Sequence, residues 1–288
     1  MYRINIKARA KINISLDVIG KREDGYHDVK MIMQTINLYD KINIKKIRKD
    51  EIKIQTNLSF LPVDERNLVY KVIKYLKEKY KIKTGVFVDL YKVIPVAAGL
   101  AGGSSDAAAT LVGMNKLFNL RMSMNEMMEI GTMFGADIPY CLLRGTALSE
   151  GIGEKLTSLG RFPDAYVVIA KPGINVSTGF VYGNLDLSSI DVRPDTDKII
   201  EGIDKGDLHQ ICNNMGNILE TVTIKKYPVI NEIKDYMMEN GAIGSLMTGS
   251  GPSVFGILED KHKAYNLAHK LKVNNIAKFV YTTTIFNS

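Results

Sequence analysis

Residues 95–109 read Pro-Val-Ala-Ala-Gly-Leu-Ala-Gly-Gly-Ser-Ser-Asp-Ala-Ala-Ala, between an apolar, β-rich run and a stretch of helix formers. The run before them, Gly85 to Ile94, reads as a strand. Pro95 closes it, because proline cannot donate to a strand ladder and disfavours helix at Ile94. Gly99, Gly102 and Gly103 can take positive φ and let a backbone approach another group closely. From Asp106 the composition turns helical, with Ser104 or Ser105 as the expected N-cap and Asp106 in the first turn. Strand, glycine turn and helix in direct succession commit this region to mixed α and β structure.

The same succession carries chemistry. A helix N-terminus presents unpaired N–H groups and roughly half a positive charge. Fed by a glycine loop, it has the ingredients of a phosphate site. A plain Gly/Ala turn that lets a helix pack close to a sheet is the competing reading, but three glycines and two serines in a strand-to-helix setting favour phosphate. The loop is neither a Walker A loop, since no lysine follows a glycine before Ser/Thr, nor a Rossmann fingerprint, since its glycine spacing is wrong.

With 288 residues, the chain is long enough for one large domain or two ordinary ones. Its 45% hydrophobic and 24% charged content are globular values that supply a core without metal or disulfide staples. Cys141 and Cys212 form no Cys-x-x-Cys motif and read as free thiols of a cytoplasmic protein. His27, His209, His262 and His269 lack zinc-ligand spacing. The basic N-terminus lacks the apolar core of a signal peptide, and no run reaches the length of a membrane span. A net charge of +7 favours anionic partners, either a nucleic acid or a nucleotide with a phosphorylated metabolite. The basic residues are scattered among acidic and apolar ones and do not cluster with aromatics, which argues against nucleic acid.

In chain order, Ile4–Ala10 and Ile12–Ile19 read as strands, the second half-buried because Ile12, Ile14 and Leu16 alternate with Asn13, Ser15 and Asp17. Lys11 lies between them and reads as a surface lysine or, given its small and apolar neighbours, a positioned one. After the Gly20–Gly25 turn, Tyr26-His27-Asp28 forms a loop tip that is either a binding site or an exposed strand edge. Residues 29–47 read as one long strand or a hairpin about Tyr39–Lys41. Residues 67–80 form an amphipathic helix through Leu68, Val69, Val72, Ile73 and Leu76. Ser123-Met-Asn-Glu126 is a capping box opening a helix through Phe134, with Gly135 as its C-cap. Asp137, two residues before Pro139, reads equally as a turn-forming aspartate or a catalytic base. A linker near 160–163 precedes a second unit, expected as α+β with helices on one side of an antiparallel sheet, including a single helix over 207–224.

Taken together, Pro95-x-x-x-Gly-Leu-x-Gly-Gly-Ser-Ser-Asp-Ala-Ala resembles the central ATP-binding motif of the GHMP kinases. Ala10-Lys-Ile-Asn13, Gly25-Tyr-His-Asp28, Gly135-Ala-Asp-Ile-Pro139 and Gly249-Ser-Gly-Pro-Ser-Val-Phe255 are similar to the branch acting on a cytidine diphosphate polyol in the non-mevalonate isoprenoid pathway. The resemblance runs nearly the full length. It implies a two-domain α+β fold: an N-terminal domain over 1–160 like the second domain of ribosomal protein S5, and a ferredoxin-like C-terminal domain over 164–288.

By the same resemblance the chain is expected to transfer the γ-phosphate of ATP to a tertiary hydroxyl, with Mg²⁺. Lys11 and Asp137 match the catalytic pair. Pro95, Val96, Ala97, Ala98, Gly99, Leu100, Ala101, Gly102, Gly103, Ser104 and Ser105 match the nucleotide loop, with Ser105 as a metal ligand. Tyr26 and Tyr182 are expected to sandwich the cytosine, with Phe180 the alternative to Tyr182. His27 is expected to read the base edge, and Asn13 and Thr178 to hold the sugar or polyol. Gly249, Ser250 and Gly251 are further substrate contacts. The partners implied are small molecules, with no nucleic acid, membrane or obligate protein partner.

Overall fold

The structure, a computed structural model, describes residues 2–288; Met1, the first residue of the expected N-terminal domain, lies outside them. In chain order the elements are β1 (Arg3–Lys21), β2 (His27–Ile47), β3 (Ile52–Thr56), α1 (Leu68–Lys79), β4 (Gly85–Tyr91), α2 (Gly102–Phe118), α3 (Met124–Thr132) and α4 (Ile138–Leu143). There follow β5 (Thr146–Gly151), β6 (Lys155–Ser158), β7 (Tyr166–Lys171), α5 (Thr178–Gly183), α6 (Thr196–Lys205), α7 (Leu208–Asn214) and β8 (Gly216–Asn217). The last are α8 (Glu220–Lys226), α9 (Val229–Glu239), β9 (Gly244–Met247), β10 (Val254–Leu258), α10 (Lys261–Val273) and β11 (Phe279–Thr284). Two compact units result. One comprises residues 2–10, Tyr39–Val96 and Ala101–Leu143; the other Lys11–Leu38, Ala97–Leu100 and Arg144–Ser288.

In the first unit β4 pairs antiparallel with the last part of β2, Lys41 opposite Tyr91, and parallel with β3. The apolar stripe of α1, Val69, Val72, Ile73 and Leu76, is fully buried, as the 3.6-residue period predicts. Helix α2 packs against α1 and α4, and its Ala107-Ala-Ala109 run keeps the layers close. Ser123 caps α3 by accepting the Glu126 N–H, as expected, but the helix stops at Thr132 with Met133, not Gly135, as its cap.

In the second unit β7, β9, β10 and β11 form an antiparallel sheet ordered β11-β7-β10-β9, against which α9 and α10 pack. Every residue of β10 is buried. β5 pairs with the first part of β2, and β8 lies parallel to β1 at Ser15 and Leu16.

Two expectations need correction. The 12–19 stretch is not half-buried: from Ile12 to Val18 its polar residues Asn13, Ser15 and Asp17 are buried along with Ile12, Ile14 and Leu16, so the alternation separates two packed faces, and only Ile19 at its end is exposed. It also continues without a break from residues 3–10. The helix expected over 207–224 is two helices interrupted at Met215–Gly216, where β8 pairs with β1.

Candidate functional site

Lys11 and Asn13 lie two apart on β1 and therefore point to the same face. Both are buried, at 5% and 0% exposure. Asn13 Oδ1 accepts the Lys11 ammonium at 2.5 Å and the Gly249 N–H at 3.0 Å. The Asn13 N–H donates to Thr248 Oγ1 at 3.1 Å, and Thr248 Oγ1 lies 3.1 Å from the Gly99 carbonyl, to which it can donate. The Lys11 N–H donates to the Leu100 carbonyl at 3.2 Å. Residues 11–13, 97–100 and 248–251 thus form one hydrogen-bonded cluster in the second unit. Gly99 is required there. Its φ is +73°, and a Cβ would lie 2.1 Å from the Thr248 carbonyl oxygen.

Asn217, which the sequence reading missed, completes the clamp. Its Nδ2 donates to the Met247 and Gly249 carbonyls at 2.8 Å each, while Oδ1 accepts the Leu219 N–H at 3.1 Å. The only local signal was Gly216, a breaker inside a helical run. The hydroxyls of Thr178 and Ser250 are 2.9 Å apart. Thr178 opens α5, whose cap is the Ser177 hydroxyl accepting the Phe180 N–H.

α5 also carries Tyr182, whose ring centroid lies 5.2 Å from that of His27 at a 44° tilt. Phe180, the alternative, instead meets the Lys226 ammonium 3.6 Å from its centroid. Burial, and secondarily the charge of Lys21, lowers the His27 pKa from its ordinary 6.5. Tyr26 beside it is 61% exposed, with its N–H held by the Asp24 carboxylate at 3.0 Å.

The first unit holds Pro95, Val96, Ala101 to Ser105 and Asp137. Neither Ser104 nor Ser105 caps α2. The helix begins at Gly102, and Ala101, at φ 55°, turns the chain into it without a side-chain cap. Positive φ falls on Ala97, Gly99 and Ala101, not on Gly102 and Gly103, which are helical. The first-turn amides are therefore not covered by a serine side chain. Ser105 is buried; its hydroxyl donates to the Arg9 carbonyl and lies 3.4 Å from Cys141 Sγ. Asp137 is half-buried and opens α4, its carbonyl accepting the Cys141 N–H at 3.0 Å. Beneath α2, Lys92 bridges Asp40 and Asp106, a cluster absent from the sequence reading. No group of three or more His, Cys, Asp or Glu side chains is gathered for a metal ion among the described residues.

The fold and these loops are those of a GHMP kinase. The family of GHMP kinase N terminal domains matches residues 67–145, and that of GHMP kinase C terminal domains matches residues 199–276. The chain is 55% identical over 286 residues to the 4-diphosphocytidyl-2-C-methyl-D-erythritol kinase of Lachnospira eligens, covering 99% of each chain. It is 52% identical to the enzyme of that name from Lachnoclostridium phytofermentans, covering 99% of this chain and 98% of the other. A crystal structure of 4-(cytidine 5'-diphospho)-2C-methyl-D-erythritol kinase superposes with a TM-score of 0.86 at 28% identity, over 99% of this chain and 100% of that one. Homoserine kinase from Cytophaga hutchinsonii shares the fold at 20% identity and a TM-score of 0.78, over 99% of this chain and 95% of that one. This chain belongs to the 4-diphosphocytidyl-2-C-methyl-D-erythritol kinase family of GHMP kinases. As a kinase of this family it takes ATP as co-substrate. Among the described residues, no helix is long and apolar enough to cross a membrane.

Proposed function

We propose that this protein transfers the γ-phosphate of ATP to the tertiary 2-hydroxyl of 4-diphosphocytidyl-2-C-methyl-D-erythritol, in the non-mevalonate route to isoprenoid precursors. The observation that carries this reading is the His27–Tyr182 ring pair beside exposed Tyr26, in a chain similar end to end to enzymes of that name. Flat rings suit a cytosine, and a neutral imidazole nitrogen reads one of its edges. Thr178, Ser250 and the Gly249–Gly251 turn, braced by Asn13, take the sugar or polyol.

A tertiary alcohol is a crowded, poor nucleophile, so a base must take its proton as the new bond forms. Asp137 is that base. Lys11, oriented by Asn13, offsets negative charge that develops during transfer. The backbone of 95–105 holds the nucleotide's phosphates, chiefly by positioning and charge stabilisation. Mg²⁺ would offset the negative charge of the phosphates during transfer. The Ser105 hydroxyl donates its proton to the Arg9 carbonyl, which leaves its oxygen lone pairs to the side that would hold the metal ion. Residues 1–160 are assigned the nucleotide-binding and catalytic domain, residues 164–288 the C-terminal domain, and a cytoplasmic setting fits the two free thiols.

The test is a coupled assay of ADP release with the cytidine substrate, mevalonate and homoserine in parallel. Release with the cytidine substrate alone is expected. Turnover of mevalonate or homoserine in its place would overturn the assignment.

A further inference from the structure

The most heavily buried charges of the first unit lie beneath the first turn of α2. Asp40 is 0% exposed, Lys92 7% and Asp106 3%. Lys92 Nζ is 2.5 Å from Asp40 Oδ2 and 2.6 Å from Asp106 Oδ2. Asp40 Oδ1 accepts the N–H groups of Val93 and Ile94, at 2.5 and 2.8 Å, where the chain leaves β4. The other Asp106 oxygen has no partner. Removing an ammonium and two carboxylates from water is costly, and apolar side chains of similar volume generally serve a core as well or better. A buried ion cluster at such a place therefore calls for a local reason.

That reason lies in what the ammonium touches. A Cβ on Gly102, the first residue of α2, would lie 3.3 Å from Lys92 Nζ and 3.1 Å from Ile94 Cγ2. The ammonium thus packs directly on the first turn of α2 and fills the space beneath Gly102. Burial raises the Asp106 pKa well above the carboxylate range. Burial alone would lower that of Lys92, but Asp106 and Asp40 together outweigh it, so the lysine stays charged.

We propose that Lys92 is a positioning residue for nucleotide binding: its ammonium, held by Asp40 and Asp106 under Gly102, fixes the first turn of α2 in the conformation that receives the phosphates. This rests on the reading of residues 95–105 as the nucleotide loop. Asp40 ties the end of β4 to the same ammonium, so strand exit and helix start are braced at one point.

Lys92→Met alone would leave two buried carboxylates without a cation and could prevent folding. The comparison is therefore between Asp106→Asn, which keeps the ammonium paired with Asp40, and the double variant Lys92→Met/Asp106→Asn, in which Asp40 retains its two backbone donors. Binding of ATP is measured by calorimetry, with KM for both substrates and the melting temperature determined alongside. The double variant should bind ATP about tenfold or more weakly than Asp106→Asn, the size of one charged interaction, with KM for the cytidine substrate unchanged. A cluster that only holds the fold would lower the melting temperature and the active fraction and leave both KM values alone. That result, or ATP affinities within twofold of each other, overturns the proposal. Failure of the unsubstituted protein to bind ATP would instead remove the loop reading, and this inference with it.

Discussion

Asn13 Oδ1 accepts the backbone N–H of Gly249 at 3.0 Å across 236 positions of sequence, while the same oxygen holds the Lys11 ammonium. A fully buried carboxamide therefore orients both a catalytic candidate and a substrate-loop amide. Asn13→Ala strands the amide and removes the oxygen that orients the ammonium, at a cost of about 1–3 kcal/mol in stability. Thermal unfolding should show that loss, and kcat should fall with it. A variant of unchanged melting temperature and turnover would show that Asn13 orients neither group.

Gly99→Ala tests backbone contact alone. The substitution places a methyl 2.1 Å from the Thr248 carbonyl oxygen at a φ of +73°. Overpacking of this kind costs roughly 1–3 kcal/mol, with strain from the left-handed conformation added. Denaturant titration should show a lower midpoint, and nucleotide and cytidine substrate should both bind more weakly, because residues 97–100 and 248–251 share that contact.

His27 predicts a pH dependence. Burial lowers its pKa below 6.5, so the folded protein holds a neutral ring at pH 7 and resists protonation more than the unfolded chain does. Its contribution to stability is therefore present above pH 6.5 and lost as the pH falls through the lowered value. KM for the cytidine substrate should stay flat at pH 6.5 and above and rise only as the pH falls through that lowered value and the ring gains a proton. KM for ATP should not follow. His27→Gln should abolish that inflection; its persistence would assign the titration to another group.

Asp137→Asn should retain ATP binding and lose roughly 10²–10⁴-fold in kcat, the usual contribution of a general base. Calorimetry with ATP and single-turnover ADP formation separate the two. Normal turnover would remove Asp137 from the mechanism and leave it as the residue that opens α4.

Short-range signals were legible along the chain. The stripe of α1, the Ser123–Glu126 cap and the strand–turn–helix order around residue 99 follow from hydrogen bonds and periodicities spanning only a few residues. The errors came where distant segments intervened. A serine cap for α2 was the sound local reading, yet the helix starts three or four residues earlier because Ala101 turns left-handed and Gly102 settles onto Ile94 and Lys92. Residues 207–224 have helical composition, but Gly216 and Asn217 pair with β1 instead.

The order of short motifs, by its resemblance to the GHMP kinases, thus pointed to the family and the kind of reaction, and composition and local capping to most element types, because each is written in neighbouring residues. Which polar groups are buried, and against what, came from the folded chain. Lys92 looks like any lysine ending a strand until Asp40, 52 positions away, and Asp106, 14 away, enclose it. Tyr182 meets His27 and Phe180 meets the Lys226 ammonium, neighbours 155 and 46 positions away in sequence. Such outcomes depend on long-range packing, in which the loss of water around a charge or a ring is settled by residues far apart in the sequence.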